Sequence, residues 1–202
     1  AAVSRALDWF VPESVAVSRV VDDSAIIMGD FRIDEAGHMR FALFGRPDTG
    51  NRRIGRLLQR LTEIETYKAM SMLGYRRARD ISRTMGGLDR DLSALIGNMT
   101  GTMAEPEESL KGLLRVASEL ENLLAKSTFR FGATGAYDAI VHDRIAVLRE
   151  ERWHGRQTFE EFMARRFEPA MRTVKSTESR LRAMAERAIR AGDLLRTRVD
   201  VE

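Results

Sequence analysis

Asp138 and His142 stand four residues apart in a stretch of helical periodicity, so their side chains share a face, and Asp143 follows His142 directly. A carboxylate and an imidazole so placed can ligate a metal ion. The spacing departs from His-Glu-x-x-His, however, and His38 and His154 fall in other segments. A surface ion pair or hydrogen bond is the preferred reading, and a metal-dependent hydrolase built on Asp138 and His142 is the weakest of three functional hypotheses.

The other candidate chemistry is thinner. Glu63 and Glu65 flank Ile64 on a predicted helix, where residues two apart diverge, so they do not form a paired acid and base. The run Gly132-Ala133-Thr134-Gly135 has the small residues of a phosphate loop, but no convincing strand precedes it and no Gly-Lys-Ser/Thr completes it. A helix-to-helix corner pinned by Phe129 and Phe131 is expected there instead. Arg52, Arg53, Arg56 and Arg60 open one helix, and Arg76, Arg77 and Arg79 follow further on. Acidic residues are interleaved and no aromatic platform accompanies these arginines, so nucleic acid is not expected as a partner. Met70, Met72, Met85, Met99, Met103 and Met184 read as adaptable core packing rather than a cofactor box. No catalytic, metal or cofactor-binding residue is assigned, no cofactor is expected, and the chain is read as not being an enzyme.

Composition narrows the classes further. The 202 residues contain no cysteine, which excludes disulfides, thiol catalysis and cysteine-ligated zinc or iron–sulfur sites. The 33 basic and 30 acidic residues leave a net charge of only +3, well interspersed. No stretch approaches the roughly 18 consecutive apolar residues of a membrane-spanning helix. The chain opens on Ala1-Ala2 without an initiator methionine, so both ends read as cut.

From Val15 to Phe44 the apolar period is close to two. Ile27, Gly29, Phe31 and Ile33 are expected on one strand face, with Asp30, Arg32 and Asp34 pointing away, and Met39, Phe41 and Leu43 repeat the alternation. Asp34-Glu35-Ala36-Gly37 supplies a hairpin turn, and Asp22-Asp23-Ser24 separates an earlier strand from about Val15 to Val21. These features predict a three-stranded antiparallel meander that needs cover on its apolar face.

Beyond Arg46-Pro47-Asp48-Thr49 the pattern is helical. Asp48 or Thr49 is the expected cap of a helix whose stripe is Ile54, Leu57, Leu58, Leu61 and Ile64, with a kink or break near Gly74 and weakening at Gly86-Gly87. Heptad spacing follows. Met85, Leu88, Leu92, Leu95, Met99 and Thr102, then a turn from Gly101 to Pro106, then Leu110, Leu113, Ala117, Leu120, Leu124 and Ser127 predict an antiparallel helical hairpin. The stretch from Ser127 to Gly135 is expected to interrupt the helices, and another helix from about Ala136 to Arg152. Thr158 with Glu161 reads as a capping box, and Pro169 as a kink or restart. The last helix carries Val174, Thr177, Leu181, Met184, Ala188, Ala191 and Leu195, a thin seam that needs a neighbour, with arginines on its other faces. It reaches Glu202 without a stop signal and is expected to continue.

The stretches RLLQRLTEIETYKAMSMLG, FRFGATGAYDAIVHDRIAVLREERWHGRQTFEEFMARRFEPAMRT and AGDLLRTRVDV, with DFRIDEAGHMRF in the strand region, cover most of Val15 to Val201. They closely resemble a bacterial family of predicted membrane-anchored proteins, domain of unknown function 3422. The resemblance implies longer proteins that continue through a polar helical segment into apolar, membrane-spanning stretches. It supplies no activity and no catalytic residues to carry over. In order of elements the chain is also similar to the soluble part of CorA-type divalent-cation transporters, an analogy that does not by itself give function.

The expectation is therefore an α+β, predominantly α-helical fold. It has a small N-terminal antiparallel sheet packed on helices (1–75), a helical hairpin (76–130) and a helix pair ending in a long stalk-like helix (131–202), as one compact domain with an extension. Functionally it is the soluble domain of a membrane-anchored protein with a regulatory or assembly role, on the cytoplasmic face of the inner membrane, self-associating through the Val174 to Leu195 seam. The alternative is an anchored scaffold that binds a protein partner through its coiled-coil helices.

Overall fold

A computed structural model describes residues 2–98 and 106–199 of the chain. The elements run α1 (Ala2–Ala6) and a 3-10 turn (Leu7–Trp9), β1 (Ala16–Val20), β2 (Ala25–Ile33), β3 (Met39–Gly45), α2 (Asn51–Asn98), α3 (Pro106–Ala146), β4 (Glu151–Arg152), α4 (Phe159–Arg166) and α5 (Glu168–Val199). The fold is α+β and mainly helical. Its contacts divide it into two units, Ala1–Met72 with Gly135–Met171 and Leu73–Thr134 with Arg172–Glu202. The expected final segment, 131–202, is thus shared between them.

The first unit holds an antiparallel sheet in the order β3-β2-β1-β4. The meander forms as its alternation predicts, and the turn between β2 and β3 follows its sequence chemistry. Asp34 Oδ1 accepts from the amides of Ala36 and His38, at 3.1 and 2.8 Å, and Gly37 takes φ +85°. The fourth strand is an addition. Glu151 and Arg152 pair with Arg19 and Ser18 of β1, and two residues are too short a run to carry a periodicity.

Both sheet faces are covered, not one. Val17, Met28 and Ala42 join Ala6, Phe10 and Val15 in a small core under the N-terminal helix. On the opposite face Ile27, Gly29 and Phe41 lie under α2 and α4, where Phe159 is fully buried. The expected alternation of β2 fails at its far end, because Asp30 is buried and Ile33 is 70% exposed. The cause is a bulge between Gly29 and Ile33 in which Phe31 adopts φ +53°. The buried Asp30 carboxylate is satisfied by the amides of Val11 (3.0 Å) and Arg32 (3.1 Å). The turned Phe31 ring stacks on Phe162 at 4.6 Å and meets Phe159 edge-on at 5.1 Å.

α2 starts at Asn51, and Thr49 turns its hydroxyl to the Ser24 carbonyl at 2.7 Å, tying the loop to the sheet. Leu57, Leu61 and Ile64 are buried as expected, whereas Leu58 is half exposed. The helix does not break at Gly74 or at Gly86-Gly87 but runs 48 residues. α3 likewise runs through Ser127 to Gly135 without interruption, with Phe131 buried and Phe129 83% exposed. The polar residues that resemble a break satisfy themselves within the helix. Ser127 Oγ donates to the Leu123 carbonyl at 2.6 Å and Thr134 Oγ1 to the Arg130 carbonyl at 2.7 Å, while Ser127, Phe131 and Thr134 continue the seven-residue burial pattern. α3 ends at Ala146, short of the expected Arg152, and Arg149 leaves the turn that follows at φ +48°.

The second unit is an up-down-up bundle of three helices. α2 and α3 form the expected antiparallel hairpin; Met99, Thr102, Met103 and the turn after Gly101 lie outside the described residues. α5 restarts at Glu168 with Pro169 in its first turn, where proline is tolerated. It runs parallel to α2, with Thr177 beside Ser82 at 3.2 Å and Arg180 on Asp89 at 2.7 Å. Every residue of the seam from Val174 to Leu195 is buried in this bundle, so the neighbour that the thin seam needs is supplied by the chain's own hairpin. The expected continuation beyond Glu202 lies outside the described residues.

Gly74 allows α2 and α3 to approach closely. A Cβ there would sit 1.9 Å from Thr134 Oγ1 and 2.8 Å from both Thr134 Cβ and Cγ2, so no threonine rotamer clears it. Gly74→Ala is expected to destabilise by about 1–3 kcal/mol although alanine is the better helix former. Urea denaturation checks this, and Thr134→Gly should recover much of the loss in the double variant.

Candidate functional site

His142 and Asp138 meet as their spacing predicts. His142 Nδ1 lies 2.8 Å from the Asp138 carbonyl oxygen and 3.3 Å from its Oδ1, and Nε2 is 3.7 Å from Glu168 Oε1 of α5. Asp138 is buried while the imidazole is half exposed, so the arrangement ties α3 to the start of α5. Among the described residues no group of three or more histidine, aspartate or glutamate side chains is arranged to hold a metal ion.

Glu63 and Glu65 point to different surroundings. Glu63 bonds Arg144 of α3 and accepts from Gln59 Nε2 at 2.8 Å. The Arg144 guanidinium, with Gln59 assisting, holds its carboxyl below the ordinary value. Glu65 is partly buried beside Lys68 at 2.9 Å, and burial pushes its carboxyl up. Lys68 also lies 5.1 Å from the centre of the Phe31 ring. The two environments drive the carboxyls apart, but on diverging faces they share no reacting centre.

The residues from Gly132 to Gly135 are helical and make no phosphate loop. Arg53, Arg56 and Arg60 line one concave surface with Arg149, in the sheet-bearing unit. Met85 and Met184 are buried core residues, while Met72 is 38% exposed.

Glu150 carries no motif, and sequence reasoning missed it. Its Oε1 accepts from Ser18 Oγ at 2.5 Å and from the Phe159 amide at 2.9 Å, and its Oε2 from the Glu160 amide at 2.9 Å. A carboxylate from the loop before β4 thus caps α4 and holds β1, beside the capping box of Thr158 and Glu161 that the sequence predicts. Burial is the largest influence on its carboxyl and pushes it up, against the Ser18 hydroxyl and the two amides. The surrounding bonds give it a structural role.

The three-helix unit carries an apolar feature as well. A groove of about 380 Å3 between α3 and α5 is lined by Leu110, Leu114, Ala117 and Ile189, with Asp193 and Arg196 at one end. Leu114 is 59% and Ile189 46% exposed there. No described helix is long and apolar enough to cross a membrane.

No curated protein and no solved structure matches the chain. A family model does, over residues 1–202, the whole length, in agreement with the resemblance carried by the sequence stretches quoted above. The chain belongs to the family described as protein of unknown function (DUF3422).

Proposed function

We propose that this chain is the water-exposed domain of a membrane-anchored protein and serves assembly or regulation by helix-to-helix docking, not catalysis. The observation that carries the reading is the α3–α5 groove, where Leu114 and Ile189 leave apolar surface uncovered. Its occupant is a second copy of this chain. In a two-fold interface each patch meets itself, and this patch is self-complementary, with an apolar centre and both an acid (Asp193) and a base (Arg196) at its end. Self-association then uses this groove, because the seam from Val174 to Leu195 is occupied within the chain.

The anchor lies in segments beyond Glu202, and the domain sits on the cytoplasmic face of the inner membrane. The order of sheet, hairpin and long helix supports a CorA-type, transporter-like parent in which assembly of these domains regulates the membrane part.

Sedimentation of the chain over a range of concentrations tests the association. Wild type is expected to dimerise, and Leu114→Glu and Ile189→Glu to remain monomeric with unchanged helicity, each substitution weakening the dimer by about tenfold or more. A chain that is monomeric at every concentration overturns the reading. Membrane fractionation of the parent protein tests the anchor.

A further inference from the structure

Val21 and Arg149 both hold positive φ, +51° and +48°, and both line one concave surface of the sheet-bearing unit. A β-branched residue in the left-handed region is rare, and such conformations persist where surrounding contacts enforce them, often at ligand sites. Here the Val21 amide donates to the Leu148 carbonyl at 2.8 Å, fastening the turn after β1 to the segment after α3.

Arg53, Arg56 and Arg60 complete the surface. At i, i+3 and i+7 they share a face of the first turns of α2. No carboxylate lines the surface. Asp22 pairs with Arg149 at 2.8 Å from outside it, but both side chains are largely exposed and the pair is weak. Among the described residues, no ion pair involves Arg53 or Arg56. On α5, by contrast, Arg180, Arg182 and Arg190 each meet an acid. In a chain with a net charge of only +3, gathering four guanidiniums around one depression is a local feature and not a reflection of overall basicity.

Guanidinium forks match phosphate oxygens two at a time. Arg53 and Arg60 are separated by about 10 Å of helix, more than a single phosphate group spans. The volume, about 660 Å3, is of the size that takes small organic ligands. Val21 and Val147 give it an apolar side.

We propose that this surface binds an organic phosphate carrying at least two phosphate groups, with the phosphates on Arg53, Arg56, Arg60 and Arg149 and the carbon skeleton against Val21 and Val147. The same chemistry is presented by a soluble diphosphate and by a two-phosphate lipid headgroup. Two probes separate them: inorganic pyrophosphate by titration calorimetry, and phosphatidylcholine vesicles with and without cardiolipin by flotation.

Binding of either probe is expected to weaken by about tenfold or more in Arg53→Gln/Arg56→Gln, and to be unchanged in Arg182→Gln/Arg190→Gln. Pyrophosphate binding without vesicle binding assigns a soluble ligand; cardiolipin-dependent flotation assigns a headgroup. Arg149→Gly relieves the left-handed backbone and should raise thermal stability while weakening the same binding. Absence of binding to both probes, or equal losses in the Arg53→Gln/Arg56→Gln and Arg182→Gln/Arg190→Gln variants, overturns the proposal. So does a duplex DNA that binds more tightly than pyrophosphate and is sensitive to the α5 arginines.

Discussion

Phe159→Ala is expected to lower stability by about 3–5 kcal/mol, the usual cost of emptying a fully buried aromatic site. The Phe159 ring is 0% exposed and sits where sheet and helix meet, 5.1 Å from the centre of the Phe31 ring and 6.3 Å from that of Phe41. Its tip also reaches the position a Cβ of Gly29 would occupy, at 3.4 Å. The site cannot collapse readily, because Phe31 is held by its left-handed backbone in the bulge and Phe41 by the ladder to β2. Phe159→Leu should recover part of the loss. Urea unfolding gives the answer directly, as a fall in the midpoint at unchanged slope. A loss below about 1 kcal/mol would show that the aromatic cluster repacks.

Glu150→Ala is expected to cost about 2–4 kcal/mol. Removing the carboxylate strands the hydroxyl of Ser18, itself fully buried, at about 1–3 kcal/mol, and removes the cap on the first amides of α4, at about 1 kcal/mol. Its titration provides an independent readout. The carboxyl is pushed above its ordinary 4.5 by burial, so just above pH 4.5 the folded chain holds this proton more tightly than the unfolded chain. Stability contributed by the group is complete below pH 4.5 and falls as pH rises through the raised folded value. Glu150→Gln should abolish that fall, seen as the difference between wild-type and variant stability across the window. Glu65, also raised, contributes the same sign to both proteins and cancels in the difference. Glu63 acts the other way, stabilising above its ordinary 4.5 and losing that contribution as pH falls. Because Glu150 and Phe159 meet at one helix start, the two substitutions should not be additive.

Where periodicity and local chemistry agreed, the fold was legible in the sequence. The Asp34 to Gly37 turn and the Thr158–Glu161 box are local patterns with one solution each, whereas the seam from Val174 to Leu195 announces its burial but not which partner buries it. The sequence misleads where tertiary contact reverses a local preference. Ser127, Gly132, Thr134 and Gly135 have low helix propensity, yet the burial of Ser127, Phe131 and Thr134 along one face keeps α3 intact. Alternation alone puts Asp30 outward, and no sequence pattern announces that Phe31 turns left-handed. Of the candidate sites, the Asp138–His142 pair was legible because both lie on one helix. Glu150 was not, since its partners in β1 and α4 come from distant parts of the chain. The arginine surface was half visible: Arg53, Arg56 and Arg60 share a helix, but Arg149 joins them only through the fold.

The sheet-bearing unit is discontinuous, with residues 73–134 intervening between its two parts. On a ribosome this has a temporal consequence. The first three strands emerge early, yet the outer edge of β1 must wait for Arg152, and Ser18 for a carboxylate 132 residues downstream. The α2–α3 hairpin, built from neighbouring sequence, can form in the interval, and low-separation contacts are the faster ones to make. The nascent protein therefore carries a formed hairpin that still lacks α5, and a sheet whose open β1 edge can accept a foreign strand. Translation stalled before Glu150 would leave that edge unpaired for as long as the stall lasts.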